Sequence, residues 1–206
     1  MMLWLALAFF IAGLACLSID RTMAHYFRDH LATPAFQFAL RVTDWAKGGP
    51  WIRMAALIYL AAQGWIAFAM ETPVVRAISN YSLALLASFV VGSIVLHVIK
   101  IFLGRRRPRD EFEHGLYGFR YFTWQLQYDS FPSGHSMTIF CVAVVLSAAF
   151  PLLTPIWLVL AFSLSMTRAM LTAHFLADVM AGAAIGIIAT RQTFFLLFPD
   201  LTPSWL

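Results

Sequence analysis

Charge is what this sequence has least of. Only 12% of its 206 residues are Asp, Glu, Lys or Arg, about half the share of an ordinary soluble domain. Cysteine is nearly missing as well. Cys16 and Cys141 both sit inside apolar runs, which excludes a disulfide framework and leaves the redox compartment unreadable. No block of like charge is long enough for a nucleic-acid arm, so no nucleic-acid partner is expected. The longest basic run, Arg105-Arg106-Arg107-Pro108-Arg109, reads as a membrane-surface patch or as part of a site. His25, His30 and His114 are loop residues, and their spacing with nearby acids makes no metal site. Internal repeats and low-complexity linkers are also lacking. One domain over residues 1–206 is expected, with no metal and no cofactor.

What fills the chain instead is apolar: 61% of residues are hydrophobic and the mean hydropathy is +0.77. A spanning helix needs about 20 mostly apolar residues. Six segments qualify as candidates, over about residues 3–18, 51–70, 81–103, 134–150, 152–168 and 175–198. The expected fold class is therefore all-α, a polytopic membrane protein with six transmembrane helices. The first segment is short and has no positively charged stretch before it, so it reads as an uncleaved helix rather than a signal peptide. Two long polar stretches, 19–50 and 104–132, alternate with short connections near 71–79 and 151–155. An interfacial helix is expected around Pro34–Trp45. This alternation puts both long loops on one side. The end of the third helix, the start of the fourth, the end of the fifth and the start of the sixth share that side.

Ionisable residues in or beside a membrane span are costly, so they are functional candidates. Here they gather on that shared side. Lys100 ends the third segment and Arg107 follows. Pro132-Ser133-Gly134-His135 opens the fourth, Arg168 lies near the end of the fifth, and His174 and Asp178 open the sixth. Arginine gives planar, often bidentate donors to phosphate oxygens, and lysine gives a point charge. A helix start at Ser133-Gly134 offers free backbone N–H groups to an anion, and glycine lets the anion come close. His174 and Asp178 are four residues apart, on one helical face. A carboxylate bonded to one ring nitrogen would fix the tautomer of His174 and make it a nucleophile at phosphorus. His135 would protonate the leaving oxygen, and the three cations would stabilise the transferring phosphoryl group.

Lys100-x6-Arg107-Pro108, Pro132-Ser133-Gly134-His135 and Arg168-x5-His174-x3-Asp178 resemble, in order and separation, the three signature motifs of the type 2 phosphatidic acid phosphatase (PAP2) superfamily. The resemblance implies metal-independent phosphate ester hydrolysis through a phosphohistidine, on a six-helix membrane core. It implies His174 as nucleophile, Asp178 as its orienting partner and His135 as acid, with Lys100, Arg107, Ser133, Gly134 and Arg168 binding phosphate. Thr167 departs from the serine common before the arginine, though a hydroxyl is kept. The expected partner is a phosphorylated membrane lipid: phosphatidylglycerophosphate, phosphatidate, an isoprenoid diphosphate such as undecaprenyl diphosphate, or lipid A. Two other readings use the same cations. A phosphotransferase would pass the phosphate to another lipid, and a non-catalytic binder or transporter would need the cations but not both histidines and Asp178.

Sidedness divides the signals. The motif side carries twelve of the fourteen Lys and Arg residues, which the positive-inside rule would place in the cytoplasm. Similarity to the bacterial lipid phosphatases of the family implies instead an inner-membrane protein with its site facing the periplasm or cell exterior, and that is the reading adopted. Three further expectations concern neighbours of the site. His97 forms an interhelical hydrogen bond. The aromatics between Tyr117 and Phe131 form an interfacial belt, a rim guiding a lipid tail, or both. Gly182-x3-Gly186 packs a helix closely within the monomer.

Overall fold

The computed structural model describes residues 1–206, with every side chain but that of Leu126. Its helices are α1 (Met2–Cys16), α2 (Asp20–Asp29), α3 (Pro34–Val42), α4 (Gly48–Phe68), α5 (Pro73–Phe102), α6 (Pro108–His114), α7 (Gly134–Ala149), α8 (Thr154–Met170) and α9 (Leu176–Leu197). The six expected apolar segments are α1, α4, α5, α7, α8 and α9. The interfacial helix expected around Pro34–Trp45 is α3, continued by a 3-10 turn at Thr43–Ala46. One small departure from an all-α chain is a two-stranded antiparallel ribbon. Its strands are β1 (Leu103–Arg105) and β2 (Phe119–Tyr121), with Arg105 opposite Phe119.

Length and composition alone support four or five spans and do not by themselves confirm the count of six. Four stretches are long and apolar enough to cross a membrane: Pro34–Phe68, Pro73–Phe102, Pro151–Met170 and Leu176–Leu197. A fifth is reached if α1 and α2, bent by 82° at their junction, count as one. Helix α7 has only 16 residues. It lies between α5, α8 and α9, and most of its residues are buried. Backbone enclosed by protein need not match the bilayer thickness.

Helix α5 begins eight residues before the Tyr81 start read from hydropathy. Residues 73–80 are too mixed in polarity to stand out, yet their start is well signalled. Thr72 caps the helix, its hydroxyl accepting from the Val75 N–H at 3.3 Å, and Pro73 occupies the first turn.

The polar loops meet on one side, as the alternation requires. The Arg21 Nε of α2 donates to Glu111 of α6 at 2.9 Å, tying residues 19–50 to residues 104–132. Beneath them α9 packs against α1, α5 and α7. Its Gly182 and Gly186 make the close approach expected of them, within the monomer. A Cβ on Gly182 would collide with the Ser133 carbonyl oxygen, and one on Gly186 would lie 2.5 Å from that of Met137. Gly182→Ala is expected to cost about 1–3 kcal/mol, the usual cost of overpacking, seen as a lower thermal midpoint in detergent. An unshifted midpoint would mean that α9 is free to slide away from Ser133.

Candidate active site

The same helix ends carry every one of the eight predicted residues. Lys100 lies in the last turn of α5, and Arg107 precedes the first turn of α6. Ser133 is the N-cap of α7, its hydroxyl accepting from the Ser136 N–H at 3.4 Å. Its own N–H donates to the Asp178 carbonyl at 2.9 Å, which pins the start of α7 to the start of α9. Beside it, a Cβ on Gly134 would meet only Leu96, at 3.9 Å, so the backbone there is open to an approaching group. Arg168 sits in the last turn of α8. Its carbonyl accepts the N–H groups of Ala173 and His174, at 3.0 and 3.2 Å, and so leads the chain directly to the histidine.

Two adjacent residues that sequence reading passed over hold the site together. The Asp129 carboxylate accepts from Arg107 Nε at 2.7 Å and Nη2 at 2.8 Å, a bidentate pair, and its carbonyl accepts from Lys100 Nζ. Burial opposes the Asp129 charge. The Arg107 bond and the charges of Arg107 and Lys100 outweigh it, and the carboxyl is held below the usual carboxylate range. Ser130 comes next. Its carbonyl lies 2.9 Å from His174 Nδ1, and its hydroxyl donates to Asp178 Oδ2 at 2.6 Å.

That geometry revises the direct His174–Asp178 bond read from their spacing. Asp178 Oδ2 lies 3.8 Å from Nδ1, beyond hydrogen-bond reach, and the Ser130 carbonyl is the nearer acceptor. A carbonyl can only accept, so Nδ1 must carry the proton and Nε2 must present its lone pair. Asp178 faces elsewhere as well. It accepts from Arg105 Nη1 at 2.7 Å and from the Phe175 N–H at 2.9 Å. Burial pushes His174 below the ordinary imidazole value, and the nearby Asp178 charge offsets only part of this. The ring is thus neutral at physiological pH.

Arg105 is the largest surprise. Within a run weighed as a surface patch, it is completely buried. It bridges Asp178 and, through Nη2 at 2.7 Å, Asp20 of α2, while Nη2 also reaches the Tyr117 hydroxyl at 2.9 Å. Its guanidinium lies over the rings of Phe175, Phe119 and Tyr117, at 4.3, 4.9 and 5.4 Å. Tyr117 and Phe119 therefore enclose a cation, while Phe122 and Trp124 stay exposed as an interfacial belt requires. Burial disfavours the Arg105 charge, but Asp178 and Asp20 outweigh it and raise its pKa. Asp20 also accepts from the Ala177 N–H at 3.1 Å, anchoring the first turn of α9. The one sequence signal for this network was an acid at the edge of an apolar segment.

The remaining site side chains lie close by. The His135 and His174 rings are 6.5 Å apart, centre to centre. Arg168 Nη1 donates to the Thr43 hydroxyl at 2.9 Å, and its buried Nε has no partner among the described residues. The Thr167 hydroxyl lies 2.9 Å from that of Thr43 and donates to the Leu164 carbonyl, so it turns inward. His97 is exposed, its Nδ1 on the Ser93 carbonyl of its own helix at 2.7 Å, in place of the interhelical bond expected for it.

Residues 81–200 match the PAP2 superfamily. A lipid A 1-phosphatase of Rhizobium etli is 33% identical over 102 residues, which cover 50% of this chain and 44% of the relative. One from Rhizobium johnstonii is 34% identical over 97 residues, covering 47% and 40%. The matched stretch thus spans less than half the length of these curated relatives. Two crystal structures share the fold. Aquifex aeolicus LpxE superposes with a TM-score of 0.56 at 20% identity, over 87% of this chain and 94% of that one. A transmembrane PAP2 type phosphatidylglycerolphosphate phosphatase from Bacillus subtilis does so with a TM-score of 0.57 at 16% identity, over 98% of each chain.

Proposed function

The chain belongs to the PAP2 superfamily, and from that premise we propose that it removes a phosphate from a membrane lipid through a phosphohistidine. The observation that carries this reading is His174. It is a buried, neutral imidazole with Nδ1 committed to the Ser130 carbonyl, facing a second histidine 6.5 Å away. In the first step Nε2 of His174 attacks phosphorus, the bond from phosphorus to the lipid oxygen breaks, and His135, which takes up a proton when the anionic phosphate binds beside it, gives that proton to the lipid oxygen. In the second step His135 takes a proton from water, the water oxygen attacks phosphorus, and the N–P bond breaks to release inorganic phosphate. Lys100, Arg107, Arg168 and the N–H groups at the start of α7 hold the equatorial oxygens. The chelator-treated protein is expected to turn over normally, since these groups already supply the positive charge.

The substrate class follows from where the site lies, at helix ends where a headgroup is wet and its tails stay in the bilayer. The Rhizobium relatives are named for lipid A, so the 1-phosphate of lipid A heads the panel to test, with phosphatidate, phosphatidylglycerophosphate and undecaprenyl diphosphate beside it. Phosphate release by the purified chain measures each. No release from any lipid phosphate would sink the proposal. We place the site on the periplasmic or outer face of the membrane. A cysteine at Glu113 should then react with an impermeant reagent in intact cells, and reaction only after permeabilisation would reverse the orientation.

Two outcomes follow from the electrostatics. Because His174 is depressed below the ordinary imidazole value, its active neutral form persists at lower pH. The acid limb assigned to it in kcat/KM should fall below about pH 6.5, the ordinary histidine value. A limb above that value would contradict the buried neutral ring. Asp129 occupies two of the phosphate cations, so Asp129→Asn should tighten inhibition by inorganic phosphate. About fivefold is expected, equivalent to about 1 kcal/mol for one partly screened charge. Weaker inhibition in that variant would instead make Asp129 a support that Arg107 cannot do without.

A further inference from the structure

We propose that Thr43 is a positioning residue for catalysis, aiming Arg168 at the transferring phosphate through its hydroxyl without neutralising the guanidinium. This deepens the lipid phosphatase reading and rests on it. Thr43 lies outside all three motifs, and outside residues 81–200, the part of the chain matched to the family. The hydrogen bonds around it run in one direction only. Arg168 Nη1 can only donate, and it does so to the Thr43 hydroxyl oxygen at 2.9 Å. The Thr167 hydroxyl gives its single proton to the Leu164 carbonyl at 2.6 Å. Its oxygen, 2.9 Å from that of Thr43, is left to accept the Thr43 proton. A chain of bonds thus leads from the guanidinium through two buried hydroxyls to the backbone of α8, with no hydroxyl proton to spare.

Two further observations give that chain a role in the reaction. The three phosphate cations are held in different ways. Asp129 holds Arg107 through its carboxylate and Lys100 through its carbonyl. A carboxylate cancels part of the charge it orients. Thr43 is neutral, so it orients Arg168 and leaves the charge intact. The buried Nε of Arg168 has no partner among the described residues. Such an N–H costs free energy until an acceptor arrives, and a phosphate oxygen is one. The turn that carries Thr43 also touches the other half of the site. Residues Thr43–Ala46 pack on both α8 and α7. A Cβ on Gly48, just past the turn, would lie 3.3 Å from the Thr138 hydroxyl, one turn beyond His135 on α7. The turn therefore sets Arg168 relative to the general acid, and a small misplacement there is costly to group transfer.

Inorganic phosphate is the probe, with its affinity measured by calorimetry on the full chain in detergent. Thr43→Val keeps the branched shape and removes the hydroxyl. It should weaken phosphate binding about fivefold in the native background and leave it unchanged in Arg168→Ala, where Lys100 and Arg107 still bind. Thr43→Ser should recover most of the affinity. In Thr43→Val, kcat/KM for phosphatidate should fall about tenfold, the size of one lost hydrogen bond to a charged group, with most of the loss in kcat. A residue that served packing alone would weaken phosphate equally in both backgrounds. That result, native affinity in Thr43→Val, or no recovery in Thr43→Ser would overturn the proposal. If Thr43→Val does not fold, Thr167→Val cuts the next bond in the chain. Its loss of affinity should likewise vanish in Arg168→Ala, and a loss that persists there would refute the role. If the native chain binds phosphate but releases none from any lipid, the phosphatase reading falls and the same affinities still decide Thr43. If it binds none, both fall.

Discussion

His174→Ala should abolish phosphate release from every lipid substrate, by at least about a thousandfold, since the residual rate after losing a nucleophile comes from binding alone. The loss should be chemical rather than architectural. The Ser130 carbonyl loses its imidazole donor, a modest cost of about 1 kcal/mol, while Ser130 still binds Asp178 through its hydroxyl. Inorganic phosphate should therefore still bind the variant, held by Lys100, Arg107 and Arg168. A comparison with His135→Ala separates the two histidines. Loss of a general acid typically costs 10²–10⁴-fold, but a p-nitrophenolate leaving group needs no proton. His135→Ala should thus be rescued in large part in the first step on p-nitrophenyl phosphate, and His174→Ala should not. Trapped radiolabelled phosphate should appear on His135→Ala and be absent from His174→Ala. Native turnover by His174→Ala would remove the nucleophile from the mechanism.

Arg105→Ala should be the most destabilising single change outside the apolar core. Arg105 is fully buried between two buried carboxylates, Asp20 and Asp178, each at 2.7 Å. Removing one member of a buried ion pair typically costs 3–5 kcal/mol, because the partner stays buried with its charge uncompensated. Here two carboxylates and three aromatic rings lose the same partner. Arg105→Lys keeps a charge but not the fork that reaches both acids, so it should recover only part of the loss. The pH dependence has a definite sign. Without its guanidinium, buried Asp20 takes up a proton more readily when folded than when unfolded, so that contribution to stability is present at low pH and lost as pH rises. The gap in thermal midpoint between native and Arg105→Ala protein should widen from pH 5 to pH 8. A gap that narrowed would mean that Arg105 matters for packing on the rings and not for charge.

These outcomes depend on residues of unequal visibility. Lys100, Arg107, Ser133, Gly134, His135, Arg168, His174 and Asp178 stand in motifs at fixed spacing, and all eight meet at one end of the helices. Asp129 and Ser130 lie just before Pro132 in a stretch crowded with aromatics, and nothing local marks them. Their roles come from the fold, which turns Asp129 toward the ends of α5 and α6 and Ser130 toward the start of α9. Thr43 is a further case. It is 125 residues from Arg168 in the chain, and their bond exists only because the turn after α3 docks on the end of α8.

Hydropathy and spacing alone determined that this is a helical membrane protein whose polar loops share one side and whose phosphate-binding residue types sit at four helix ends. Both are local properties, since an apolar run must hide its backbone in helix and a motif keeps its order wherever the chain goes. The tertiary structure decided which charges answer each other. It set Arg105 between Asp20 and Asp178, moved the His174 bond from Asp178 to the Ser130 carbonyl, and enclosed the short α7 among its neighbouring helices. A charge in a low-dielectric interior takes the partner that the packing brings within hydrogen-bond distance, and no rule of sequence spacing encodes that distance.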